Sequence, residues 1–166
     1  MLSVGLLGLT GCGFDVQTNQ PYTPADGTNA DIGDGGTLKI RNLVIISKTK
    51  GEGVVSASLV GNAEDQLNSV SVTPIKTDGS SGTAVTATPV TPLKLGGGSY
   101  TVLTNVANLS VQAPDLLAGL TATVTMNFTN AGPVTLRSPV VDGTIAPWST
   151  VTPGVSASPS PEPTPS

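Results

Sequence analysis

The sequence predicts an all-β protein, an antiparallel sandwich of about eight short strands set between disordered flanks. Three observations carry this. Only 11% of the residues are charged and 3% aromatic, while the 166-residue chain holds 20 Gly and 14 Pro, a balance poor in the residues from which helices are built. Apolar residues recur with period two in short runs separated by turn residues, the pattern of half-buried strands. No run longer than about one turn has helical period.

The chain opens on an apolar segment, "LSVGLLGL" at 2–9, followed by Thr10, Gly11 and the single cysteine, Cys12. A hydrocarbon core takes roughly 20 helical residues to cross, so this segment is too short to span it and suits the apolar region of a secretory signal. Leu9-Thr10-Gly11-Cys12 resembles a bacterial lipobox. That resemblance implies acylation of the Cys12 thiol, cleavage between Gly11 and Cys12, a signal peptide at 1–11 and a lipid anchor in the membrane. Stable attachment takes more than one acyl chain, as lipoproteins carry. No Lys or Arg precedes the apolar segment, although signals open with positive charge. The expected start therefore lies upstream of Met1, or Met1 is a misassigned start. The competing reading, a buried strand with a structural cysteine, leaves that thiol without a disulfide partner.

Residues 12–36 are crowded with Gly, Pro, Asn and Asp and show no alternation, which predicts an extended tether. This lead-in contains Asp15, Asp26, Asp31 and Asp34 and no basic residue. Between 37 and 147 seven basic residues face six acidic ones, so the predicted domain is close to neutral. No basic stripe or aromatic platform is present for nucleic acid.

The strands follow in order. In 37–47 Leu38 and Ile40 alternate with Lys39 and Arg41 before an apolar run, as in a strand passing from a sheet edge into a core. In 53–60 Val55, Ala57 and Leu59 share one face, with Ser56 and Ser58 on the other. In 67–73 strict alternation sets Leu67, Ser69, Ser71 and Thr73 against Asn68, Val70 and Val72. Further strands are predicted at 83–90, 99–103 and 106–112. The clearest pair, 120–129 and 133–141, is joined by Asn130-Ala131-Gly132, a hairpin signal. "PDLLA" at 114–118 could form one helical turn, with Pro114 at its start. The tail from 148, ending "SASPSPEPTPS", predicts a disordered, partly polyproline segment. About 110 residues remain to bury a core without disulfides.

The order of these runs is itself informative. "LKIRNLVIIS…VVSASLVGNAEDQLNSVSV", "TPLKLGGGSYTVL" and "LLAGLTATVTMNFTNAGPVTLRSPVV" together resemble the periplasmic copper chaperone family of PCu(A)C type, and in particular its lipoprotein relatives in Gram-positive bacteria. The resemblance covers about residues 37–141 and implies a cupredoxin-like or immunoglobulin-like sandwich. It also implies a Cu(I) site made by paired His and Met, and there the chain departs from the family. It has no His, and where the family places a His and a Met it offers Ser99, Tyr100, Thr101 and Val102. After signal removal the only methionine is Met126. Soft Cu(I) needs several soft ligands, so no metal ligand set and no cofactor is expected.

Other chemistry is equally sparse. Without His, Ser-His-Asp and Cys-His catalysis and His-ligated zinc are excluded. A Ser-Lys pair using Lys76 or Lys94 stays formally open, but no serine lies in a Gly-flanked nucleophile elbow. Glu64 and Asp65 are adjacent, so on a strand they point to opposite faces and suit a shared acid-base role poorly. They are read as ending a strand in the turn before Leu67. Asp26, Asn29, Asp31 and Asp34 are oxygen ligands of the kind calcium accepts, at spacings that fit Asx turns as well. Trp148, the sole tryptophan, is read as capping the edge of the core. The expectation is a non-catalytic, lipid-anchored lipoprotein on the outer face of the cell membrane, acting as a binding or assembly module for an envelope protein. The alternatives are a divergent copper-handling protein with atypical ligands and an envelope hydrolase of Ser-Lys type.

Overall fold

The structure, a computed structural model, describes residues 26–151 except 88, 90 and 108. The expected signal peptide, Cys12 and most of the Pro-rich tail lie outside the described residues. The described chain is nearly all β, as the alternation predicts, and forms a nearly closed sandwich of ten strands. In chain order these are β1 (Thr28–Ile32), β2 (Leu38–Ser47), β3 (Glu52–Gly61), β4 (Asp65–Pro74), β5 (Val85–Ala87), β6 (Leu93–Leu95), β7 (Ser99–Val102), β8 (Leu109–Gln112), β9 (Thr121–Phe128) and β10 (Pro133–Asp142). A single turn of helix, α1 (Leu103–Val106), joins β7 to β8.

The strands run in the order β5-β4-β9-β10-β2-β3-β7. Three long strands divide an edge between two partners. β3 pairs with β7 through Ser58–Gly61 and with β8 through Glu52–Val55. β4 pairs with β5 through Val70–Val72 and with β6 through Asp65–Leu67. One edge of β2 takes β1 along its first half and the end of β10 along its last three residues, while the other edge takes β3.

The hydrophobic core lies between the two sheets. β9 supplies it in strict alternation, burying Ala122, Val124, Met126 and Phe128. β3 contributes Val55, Ala57 and Leu59, as its pattern predicts. In β2 the buried set changes phase, from the even residues Leu38 and Ile40 to the odd residues Leu43 and Ile45. The cause is a bulge between Arg41 and Val44, where Asn42 adopts a φ of 52°; an extra residue on one strand moves every later side chain to the other face. The second bulge, between Leu67 and Ser69 of β4, corrects the strict alternation read from the sequence. Leu67 is buried with Val70 and Val72 rather than set opposite them.

Beyond the β2 bulge Val44 and Ile46 turn to the outer face of their sheet with Val54, and they too are buried. Residues 143–151 meet this side at the end of β2. The Gly143 amide donates to the Ser47 carbonyl at 2.9 Å, and Lys48 Nζ donates to the Ser149 carbonyl at 2.7 Å. A methyl group on Gly143 would come within 2.8 Å of Ile46 Cγ2, so glycine is needed for this close approach.

Four features differ from the sequence reading. Residues 28–32, read as tether, form β1, because Ala30 and Ile32 pack on the core and the Asn42 side chain accepts the Gly27 amide at 2.8 Å. Residues 93–95 form a strand that three residues of alternation could not announce. The helical turn falls at 103–106, where Leu103 is fully buried, and not at 114–118, where Leu116 sits in irregular turns closed onto Gly51. The ordered chain also extends past 147, into a 3₁₀ turn at Trp148–Thr150 in which Trp148 is half-buried.

β10 joins the two sheets. Pro133–Pro139 pair antiparallel with β9, and Val140–Asp142 pair parallel with Ile45–Ser47 of β2. At the junction Ser138 is fully buried, and its hydroxyl donates to the Leu43 carbonyl at 3.0 Å. Leu43 lies within the bulge, where β2 has no registered partner on β3. Ser138→Ala should therefore lower stability by about 1–3 kcal/mol through a buried carbonyl left without its donor. The check is a fall in the urea midpoint with an unchanged m-value.

Two exposed turns give a pH signature. Asp78 accepts hydrogen bonds from the Ser80 hydroxyl and amide, and Asp142 from those of Thr144. These bonds favour the charged form and hold both carboxyls below the ordinary value of 3.8. Because the folded-state pKa is depressed, their stabilisation is complete above 3.8 and is lost as pH falls through the folded values. Carboxyl NMR titration should place both midpoints below 3.8, and Ser80→Ala should return only Asp78 toward it.

Candidate functional site

β2, β4 and β10 begin, and β3 and β9 end, at one end of the sandwich, where the turns 33–37, 62–64, 96–98 and 129–132 meet. We refer to it as the Asp65 end and to the opposite one as the Lys48 end. β1 starts beside the middle of β2 and runs toward the Asp65 end, while β10 runs away from it. Residues before 26 and after 151 thus join the domain away from the Asp65 end.

Side chains and backbone lock the turns together. Asp65 Oδ1 accepts the amides of Gln66 at 2.7 Å and Asn130 at 2.8 Å, and Oδ2 accepts the Ala131 amide at 3.0 Å. Asn130 Nδ2 donates to the Glu64 carbonyl at 2.8 Å, so the β9–β10 turn is clamped on the start of β4 from both sides. Gly132, at φ 73°, closes that turn by accepting the Phe128 amide. Asn62 bridges to the β1–β2 turn, its side chain donating to the Gly36 carbonyl and its amide to the Thr37 carbonyl. The Gly98 amide donates to the Gly61 carbonyl at 2.6 Å and fixes the fourth turn.

Two depressions open on this framework. One, of about 450 Å³, is lined by Glu64, Asp65, Gln66, Lys94, Leu95, Gly96, Thr129 and Asn130. The other, of about 340 Å³, has apolar walls from Ile32, Leu38, Ala63 and Ala131 and shares Glu64, Asp65 and Asn130 with the first. A ridge of three polar residues therefore separates a charged half from an apolar half. The Asp65 carboxylate is committed to backbone amides. The carboxylate of Glu64 and the ammonium of Lys94 are both exposed, and neither takes part in the ion pairs of the described residues, Asp31–Arg41 and Lys76–Asp115.

The residues singled out in the sequence fall as follows. Glu64 lies in the turn and Asp65 opens β4, so the pair begins a strand where the sequence reading had it end one. Asn29 and Asp31 are occupied in the β1–β2 pairing: Asn29 Oδ1 accepts the Asn42 amide at 2.8 Å, and Asp31 pairs with Arg41. Among the described residues no three His, Cys, Asp or Glu side chains group closely enough to hold a metal ion. Lys76 faces Asp115 at 3.8 Å. Ser99, Tyr100, Thr101 and Val102 form β7; Ser99 Oγ accepts the Gly96 amide, and the Tyr100 hydroxyl meets Ser58 Oγ at 3.0 Å. Met126 is 1% exposed, with Val70 and Val134 as its neighbours across the sheet. The sequence marks Lys94 only for a Ser-Lys pair and Asn130 only as a turn residue, and does not mark Thr129, because what brings the three to Glu64 is the pairing of β4 with β6 and β9.

No family model matches this chain, and no curated protein matches it. Among solved structures, the copper-bound PCuAC domain from PmoF2 is similar at 18% identity and a TM-score of 0.40, over 69% of this chain and 98% of that one. The apo PmoF2 PCuAC domain is similar at 19% identity and a TM-score of 0.40, over 69% and 95%. The apo PCuAC domain from PmoF1 is similar at 19% identity and a TM-score of 0.39, over 69% and 98%.

Burial of Met126 makes it a packing residue. Met126→Leu, a volume-conserving change, should cost less than about 1.5 kcal/mol, and Met126→Ala about 2–5 kcal/mol. Chemical denaturation of the two variants checks the order.

Proposed function

We propose that this protein is a lipid-anchored, non-catalytic binding module of the cell envelope that engages a protein or peptide partner through its Asp65 end. One observation carries the reading: both flanks join the domain away from this end, so a chain held at Cys12 would present the two depressions outward. The Leu9-Thr10-Gly11-Cys12 motif supports the anchor, and the segment between Cys12 and β1 supplies the spacer. Fixed turns support binding, since a surface held rigid before contact loses little entropy on association. The lack of His and the enclosed position of Met126 favour this reading over copper transfer.

Replacing Cys12 by Ala should release the protein into the medium or leave it as an uncleaved precursor, read by fractionation and intact-mass analysis. A photoreactive residue at Lys94 or Asn130 should cross-link to an envelope partner in cells, and the same residue at Lys48 or Asp142 should not. A variant Cys12→Ala that stays membrane-bound and normally processed would remove the anchor from the reading. Stoichiometric Cu(I) retained through desalting would replace binding with metal handling.

A further inference from the structure

We propose that the two depressions of the Asp65 end form one split site for a free peptide N-terminus whose first side chain is apolar and which carries a carboxylate one or two residues on. This rests on the binding reading above and names the ligand chemistry of that same surface.

The argument starts from the charges. Gln66 and Lys94 are paired residues of β4 and β6, so Lys94 and Glu64 lie diagonally across that pairing. Glu64 sits just before β4, and diagonal neighbours of this kind are about 7–8 Å apart, within reach of long side chains, so a small ligand placed between the two charged groups reaches both. Neither charge has an ion-pair partner among the described residues. Their signs are opposite, which selects a ligand carrying both an ammonium and a carboxylate.

Polarity follows from which charge borders which half. Glu64 and Asp65 line both depressions, while Lys94 lines the charged one alone. Asp65 accepts three amides and Glu64 is exposed beside it, so the ridge between the halves carries two carboxyl groups and favours a cation. An ammonium on that ridge places the side chain of its own residue over Ile32, Leu38, Ala63 and Ala131, and directs the following backbone toward Lys94. The reverse orientation would set a carboxylate against Glu64 and Asp65. At about 450 and 340 Å³ the halves fall in the size range of small-ligand pockets and leave room for one or two residues and an aliphatic side chain.

The dipeptide Leu-Ala is a small probe with all three features. Titrated into the isotope-labelled protein, it should shift the amides of Ala63, Glu64, Lys94 and Ala131, more weakly at high salt. N-acetyl-Leu-Ala and Leu-Ala amide should each bind about two- to fivefold more weakly, the size of exposed ion-pair effects, and Gly-Ala should bind more weakly for want of the side chain. Glu64→Gln should remove the preference for the free amine, and Lys94→Gln the preference for the free carboxylate. Glu64 and Lys94 are exposed, so both variants should keep the wild-type melting temperature; the capped peptides on wild-type protein test the same point without mutation. No shift at these amides, or equal binding of free and N-acetylated peptide, overturns the proposal. If partner cross-linking at Lys94 or Asn130 nevertheless persists, only the ligand chemistry falls; if it is lost as well, the binding reading falls with it.

Discussion

The contact on which the architecture turns is the hydrogen bond from Ser138 to the Leu43 carbonyl. Among the described residues β10 is the only strand shared by both sheets, and it changes registered partner within two residues, from Thr121 at Pro139 to Ile45 at Val140. A change of partner leaves backbone groups facing the interior without a ladder to receive them, and such groups are costly unless paired. The β2 bulge creates the same difficulty on the other side, since Asn42 and Leu43 step out of register with β3. The serine hydroxyl resolves the second by donating to the Leu43 carbonyl, while at the first the Val140 amide and carbonyl pair with Leu120 and Gly119. Proline at the position after the serine suits a place where an amide donor is not required. β1 then packs against the same junction, Thr28 donating its hydroxyl to the Arg137 carbonyl.

The Asp65 clamp does for the turns what Ser138 does for the sheets. A carboxylate accepting several backbone amides is held by charge-assisted hydrogen bonds, stronger than neutral ones. It organises the β9–β10 turn without aromatic packing, in a chain of which only 3% is aromatic. In consequence the most acidic-looking pair in the domain divides its labour, Asp65 being absorbed by structure and Glu64 left facing solvent.

What was legible in the sequence follows from how locally each feature is encoded. β9 carries its alternation without a break from Thr121 to Phe128, and the Asn130-Ala131-Gly132 turn sits between two such runs, so the terminal hairpin could be read directly. β1 could not, because only Ala30 and Ile32 mark its inner face among Asp, Asn and Gly, and its order comes from Asn42, Arg41 and the edge of β2. The bulges at 41–44 and 67–69 are phase errors in an otherwise clean pattern, visible only once partner strands fix the register. The candidate site was half legible. Glu64 and Asp65 stood out as adjacent charges, but Lys94 sits 30 positions further on and joins them only through the pairing of β4 with β6.

The wrap formed by residues 143–151 has a further consequence. It holds the only indole of the chain in a short turn fastened at Lys48, away from the interior that Leu59, Leu67 and Phe128 fill. Intrinsic emission excited selectively at that ring therefore monitors detachment of the C-terminal belt, while far-ultraviolet dichroism follows the strands. A gap between the two signals on heating would separate peeling of the belt from collapse of the body beneath it.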